Sequence, residues 1–241
     1  MKLYSTLLLS LVLALNTAGQ TKPDLLGFTN KAEAKNQRVN GFKEGKWLEY
    51  LDSNNVTTKD TNAPYYSLSV YKTEINYGTS RAYYNKSGKL YIECPYDAYG
   101  AINGVTKKYF ENGVMQFEAS YYASLRNGPE KEYYRSGKLK RIYPYDANGL
   151  MNDTMKLYYE NGILQGECPM KNGVQNGLQQ MYFPYGKIQI QSPYTNGKID
   201  GVVKEYFSNG VLGSETIYVN GIEGRVHYYD KNGVETELKQ K

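Results

Sequence analysis

The chain repeats one pattern of apolar and polar positions eight times: a glycine, a short polar stretch, Tyr followed by a second aromatic or Leu, then Asn-Gly or a variant of it. Gly104 to Gly113 spell one copy as GVTKKYFENG, and Gly201 to Gly210 spell another as GVVKEYFSNG. The leading tyrosines are Tyr50, Tyr83, Tyr109, Tyr133, Tyr158, Tyr182, Tyr206 and Tyr228. A period of about 24 residues predicts a repeat array in which each unit contacts mainly its neighbours. Residues 41–241 are therefore expected to form one elongated all-β domain.

Asn-Gly between alternating apolar residues is a strong hairpin signal, because a type I′ turn needs positive φ at both central positions. Asn112-Gly113, Asn161-Gly162 and Asn209-Gly210 carry it outright, whereas Lys86-Ser87-Gly88 and Lys231-Asn232-Gly233 have an extra residue. Folding a unit about Asn112-Gly113 sets Phe110 against Met115, Tyr109 against Gln116, Lys107 against Glu118 and Gly104 against Tyr121. The same register sets Lys156 against Glu167, Lys204 against Glu215 and Arg81 against Glu93. Gln180 meets Gln191, and unit four substitutes Glu132 with Arg141 for the pair that Lys131 and Ile142 cannot make. Opposed charges contribute only ~0.2–1 kcal/mol each, so they pin register rather than hold the fold.

A second row sets Gly78, Gly104, Gly128, Gly177 and Gly201 against Tyr96, Tyr121, Tyr145, Tyr194 and Tyr218, an aromatic lying over each strand glycine. Alternation then predicts two faces. A dry face carries the second aromatic with Ile92, Phe117, Ala119 and Ile190. A wetter face carries the leading Tyr and the charged pairs. Phe enters the second aromatic position but never the first, so the first needs its hydroxyl. Sixteen strands in one flat sheet would be abnormal, which predicts an array of about eight hairpins that twists and curls over its apolar face. The diverged first and last units are expected to act as caps.

Outside the array, Lys2, the apolar run from Leu7 to Leu15 and Thr17-Ala18-Gly19 read as an export signal over residues 1–19, too short to span a bilayer. Residues 20–40 form a lead-in, and no second apolar stretch follows, so the chain is expected in the periplasm or outside the cell without a transmembrane segment. The formal net charge of +5 is modest and its basic residues read as spread over the units, which argues against nucleic acid. Cys94 and Cys168 stand at matching places six strands apart, roughly 29 Å at ~4.8 Å per strand. That is too far for a bridge, and two free, buried thiols are expected.

The motif Asn-Gly-x-x-x-Gly-x-x-Lys-x-Tyr-[Tyr/Phe]-x-Asn-Gly-x-Leu, as in Asn196 to Leu212, resembles the MORN-repeat variant of bacterial proteins grouped as the YwqK-type antitoxin family. The likeness extends over roughly residues 41 to 238. It implies hairpin-built modules that bind proteins, act as scaffolds or associate with membranes, and the antitoxin grouping implies neutralising a partner toxin. The export signal and the dilute basic content stand apart from that pattern.

Catalytic chemistry finds little footing. His227 is the single histidine and reads as a satisfied strand residue, leaving no His/Cys cluster for a metal and no cofactor motif. The repeated Glu residues face cations, which lowers their pKa and suits them poorly as general acids. Asp97 and Asp146 read as turn formers. What remains is the tyrosine row, Tyr83, Tyr109, Tyr133, Tyr158, Tyr182 and Tyr206, as stacking platforms, and an insertion around Lys59 to Tyr71 with Tyr65 and Tyr66. The expected function is an exported, non-enzymatic module that binds another protein. A surface glycan is the alternative ligand and a toxin the second alternative.

Overall fold

The computed structural model describes residues 26–236, where the chain is all β apart from one 3-10 turn at Lys31–Glu33. The export signal and the start of the lead-in lie outside the described residues. The strands form one open antiparallel sheet in which each long strand pairs with the one before and the one after. From Tyr65–Lys72 onward the chain meanders without a crossover through Ile222–Tyr229.

Within a unit the predicted register is right along the strands and shifts by one at the turn. Gly104 faces Tyr121 and Lys107 faces Glu118, as expected, but Tyr109 faces Met115 and Gln116 bulges out of the ladder. The turn is the cause. Phe110 donates its N–H to the Val114 carbonyl and accepts from the Gly113 N–H, so Glu111, Asn112 and Gly113 all sit in the loop. Gly113 has φ +89° while Asn112 stays outside the positive-φ region, the geometry of a type I turn closed by a left-handed glycine. The Asn112 carboxamide fixes this form, accepting from Val114 N–H at 3.0 Å and donating to the Arg135 carbonyl of the next unit at 3.2 Å. Type I′ turns do occur, but between units: Asn172-Gly173, Asn196-Gly197 and Asn220-Gly221 all have positive φ at both residues.

The strand glycines also have a different reason from the predicted one. Gly177 does face Tyr194, yet its φ is +126°, and a Cβ there would sit 3.0 Å from Pro169 Cβ. The residue before it, Asn176, donates its N–H to the Pro169 carbonyl at 2.9 Å, which turns the chain sharply into the strand. Gly104 repeats this against Pro95. Conformation and close approach select glycine here, with the tyrosine as a neighbour.

The ends depart from the repeat. Gln37–Val39 and Thr57–Thr58 both cover the outer edge of Phe42–Leu51, and residues 59–64 then carry the chain across to its inner edge. The expected insertion is thus the segment before Tyr65, and Tyr65 and Tyr66 belong to a regular strand. At the other end Tyr229, rather than Tyr228, takes the leading place, because His227 pairs with Glu215 as Lys204 pairs with Gln191. That shift gives the last unit the same three-residue loop as units three to seven, with Asp230 N–H bonded to the Val234 carbonyl. Glu235–Thr236 covers part of the final edge.

The predicted split into a dry and a wet face holds only in part. Both aromatic positions are half-buried, and hydroxyls on the supposedly dry side are bonded: Tyr84, Tyr134 and Tyr159 donate to the carbonyls of Tyr109, Tyr158 and Tyr182. The buried stripe on that side is made mostly of small residues, Cys94, Thr106, Ala119, Cys168, Ser192 and Val203, with Glu130 among them bridged by Arg126. Both thiols are free and buried, as expected. The largest apolar cluster is on the other side, where Phe28 of the lead-in packs on Tyr66, Leu68, Val70 and Tyr83.

Candidate functional site

On the face of the leading tyrosines the charged pairs of successive units join into one row. Arg81, Glu93, Lys107, Glu118 and Lys131 are cross-strand partners in turn, and after Ile142 the row resumes through Lys156, Glu167, Gln180, Gln191, Lys204 and Glu215. Glu118 is bridged by Lys131 of the following unit at 3.2 Å, while Lys204 bridges its own partner Glu215 at 3.1 Å. The pairing therefore runs across unit boundaries as well as within them.

Four of the leading tyrosines reach back to this row. The hydroxyls of Tyr133, Tyr182 and Tyr206 donate to Glu118, Glu167 and Gln191, each at 2.9 Å, and Tyr229 donates to Glu215 at 3.1 Å. Burial first, and the bonded carboxylate second, push the phenols of Tyr133 and Tyr182 up to about 12. Tyr109 is also raised, by burial and then by the charges of Glu93 and Glu118. Burial would raise Glu118, but the bonds from Tyr133 and Lys131 and the charges of Lys131 and Lys107 outweigh it and hold its carboxyl low. Tyr158 differs, since its strand faces Ile142, which offers no acceptor.

These contacts place the sequence-predicted binding residues. Tyr83 and Tyr66 stack at 5.0 Å in the buried cluster under Phe28, with the Lys31 ammonium 3.5 Å from the Tyr66 ring centre. Tyr65 lies on the opposite face, stacked on Tyr91 at 4.2 Å. Tyr109, Tyr133, Tyr158, Tyr182 and Tyr206 form a half-buried row, and the phenols of Tyr133, Tyr182 and Tyr206 lock one hairpin to the previous one. His227 has Nδ1 2.6 Å from Glu235 Oε1, and the Asp97 and Asp146 carboxylates each accept two loop N–H groups, as expected of turn formers. Among the described residues no group of three or more His, Cys, Asp or Glu comes together.

The opposite face offers a surface the sequence reasoning missed. Ile92, Lys108, Phe110, Phe117, Glu132 and Lys140 line a cleft of about 490 Å³. A second cleft of about 420 Å³ shares Ile92 and Phe117 and continues over Cys94, Thr106, Tyr96 and Tyr121. Together they make one groove along units one to four, with Leu51, Ser67 and Ser69 at its start. Cations rest on aromatics of this face, Arg135 on Phe110 in the groove, and Lys108 and Lys140 on Tyr91 and Tyr134 outside its lining, at 4.9–5.6 Å from the ring centres. Its acid Glu132 is neutralised by Arg141 at 3.7 Å. The signal was present in Arg135 to Arg141, RSGKLKR, where basic residues crowd rather than spread evenly.

A sequence model of the MORN repeat variant matches residues 102–121, 126–147, 154–172, 175–196 and 199–220. Each match spans one hairpin of the middle of the sheet. Two units before the matches fall outside them: the first, whose row is apolar with Leu48 facing Leu68 under the lead-in, and the second, whose row is the charged pair Arg81 and Glu93. No curated relative matches the chain.

Proposed function

Because the chain carries MORN-variant repeats, a family of interaction modules, we propose that it is an exported, non-enzymatic protein whose groove receives a segment of another protein. The observation that carries this reading is the groove itself, apolar along its floor and cationic at one end. Charge complementarity then selects an acidic, extended segment with apolar anchors. Export rests on the Lys2, Leu7 to Leu15 and Thr17-Ala18-Gly19 pattern.

Pull-down with the mature chain against envelope protein and against surface polysaccharide tests the reading. Retention of protein, abolished by Lys108→Glu with Lys140→Glu, is expected. Retention on polysaccharide alone would overturn it. Export is checked by the mass of the protein outside the cytoplasm, which should lack the first 19 residues, and an intact N-terminus would contradict it.

A further inference from the structure

The row on the tyrosine face is polar except at its start, where Leu48 pairs with Leu68, and at Ile142. What an apolar residue does there is visible at the start. Leu68 is fully buried, and Phe28 of the lead-in packs on it beside Tyr66, Val70 and Tyr83. Arg81, the next member of the row, donates Nη1 to the Leu26 carbonyl at 2.6 Å, two residues before the Phe28 anchor. An extended segment is thus held by an aromatic side chain on the aliphatic residue and by a cation on the backbone carbonyl.

Ile142 repeats the aliphatic residue, cation and tyrosine of that site, with Lys131 rather than a leucine on its other side and no lead-in over it among the described residues. Lys156 follows it in the row as Arg81 follows Leu68, and Tyr158 stands two residues beyond Lys156 as Tyr83 stands beyond Arg81. Pro129, Pro144 and Thr154 complete a cleft of about 460 Å³ that Ile142 and Lys156 also line. We propose that this cleft is a second docking site of the same kind, for an extended segment of a partner protein with an aromatic anchor and a backbone carbonyl two residues before it. The anchor seats on Ile142 between the two prolines, and the Lys156 ammonium donates to the carbonyl.

The chain's own lead-in is not the occupant, because Phe28 is buried at the first site and six strands, roughly 29 Å at ~4.8 Å each, separate Leu68 from Ile142. A second copy would have to give up that same burial. The proposal rests on the reading of the chain as a protein-binding module but uses the face opposite the groove, so the two can fail separately.

The test uses a labelled peptide copying Leu26 to Lys35, titrated into the mature chain with its own lead-in in place. Saturable binding is expected, weakened about tenfold or more by Ile142→Glu and by replacing the peptide's phenylalanine with alanine. Ile142→Glu places a carboxylate between Lys131 and Lys156, as Glu93 and Glu118 each lie between two cations, so its urea midpoint should equal or exceed the parent's, separating lost docking from lost folding. Lys108→Glu in the groove should leave peptide binding unchanged. No saturable binding up to about 1 mM, equal affinity for parent and Ile142→Glu, or loss of binding in Lys108→Glu overturns the proposal. Partner capture lost in groove variants but kept in Ile142→Glu would leave the groove reading standing alone.

Discussion

A phenol that donates to the hairpin before it explains the preference for tyrosine over phenylalanine at Tyr133, Tyr182, Tyr206 and Tyr229. Tyr133→Phe and Tyr182→Phe each remove a bond to Glu118 or Glu167 and should cost about 1 kcal/mol in urea unfolding. Tyr158→Phe should change stability by far less, because its strand faces Ile142. The same bonds set the response to alkali. A phenol whose folded pKa is raised from 10.0 to about 12 contributes stability that is complete below 10 and is lost as pH rises through 12. Unfolding free energy should therefore fall over that window, and fall less in the double variant Tyr133→Phe, Tyr182→Phe. An unchanged slope in that variant would contradict the assignment.

At the scale of strands and turns, the account depends on register. Lys204 and Glu215 bridge at 3.1 Å on directly opposed residues. Lys204→Glu or Glu215→Lys alone should destabilise by roughly 0.5–1 kcal/mol, and the double exchange should recover most of it. Single reversals no worse than the exchange would mean the strands do not pair this way. Register was legible because Lys107 and Glu118, or Gln180 and Gln191, change together at a fixed spacing. The turns were not, since the same Asn-Gly dipeptide makes a type I′ turn at Asn172-Gly173 and the left-handed end of a type I turn at Asn112-Gly113. Spacing from the neighbouring strands, rather than the dipeptide, decides between them. The Tyr228 and Tyr229 doublet misled for a related reason, as both fit the local motif and only pairing to Glu215 selects Tyr229. Linkage of the charged pairs across units was hidden because folding one unit alone considers one partner per strand.

On the scale of the whole molecule, the sheet has no second layer among the described residues, and each hairpin is stabilised mainly by its neighbours and, at the start, by the lead-in. Such arrays lose stability locally. Phe28→Ala removes the cover from Leu68, a cost of about 3 kcal/mol or more for a buried phenylalanine. Hydrogen exchange should accelerate in Phe42–Leu51, Tyr65–Lys72 and Ile75–Tyr84 while Gly201–Tyr206 and Leu212–Val219 keep their protection. Uniform loss along the chain would show a single cooperative unit instead. The two faces then divide the work: the tyrosine face joins hairpin to hairpin over most of its length, and the opposite face is left to bind. Placing a photo-crosslinking phenylalanine analogue at Phe117 in the groove or at Val202 on the tyrosine face, in cells that make the protein, compares the two directly. The account predicts a discrete protein adduct from position 117 and none from 202, and an adduct from 202 with none from 117 would contradict it.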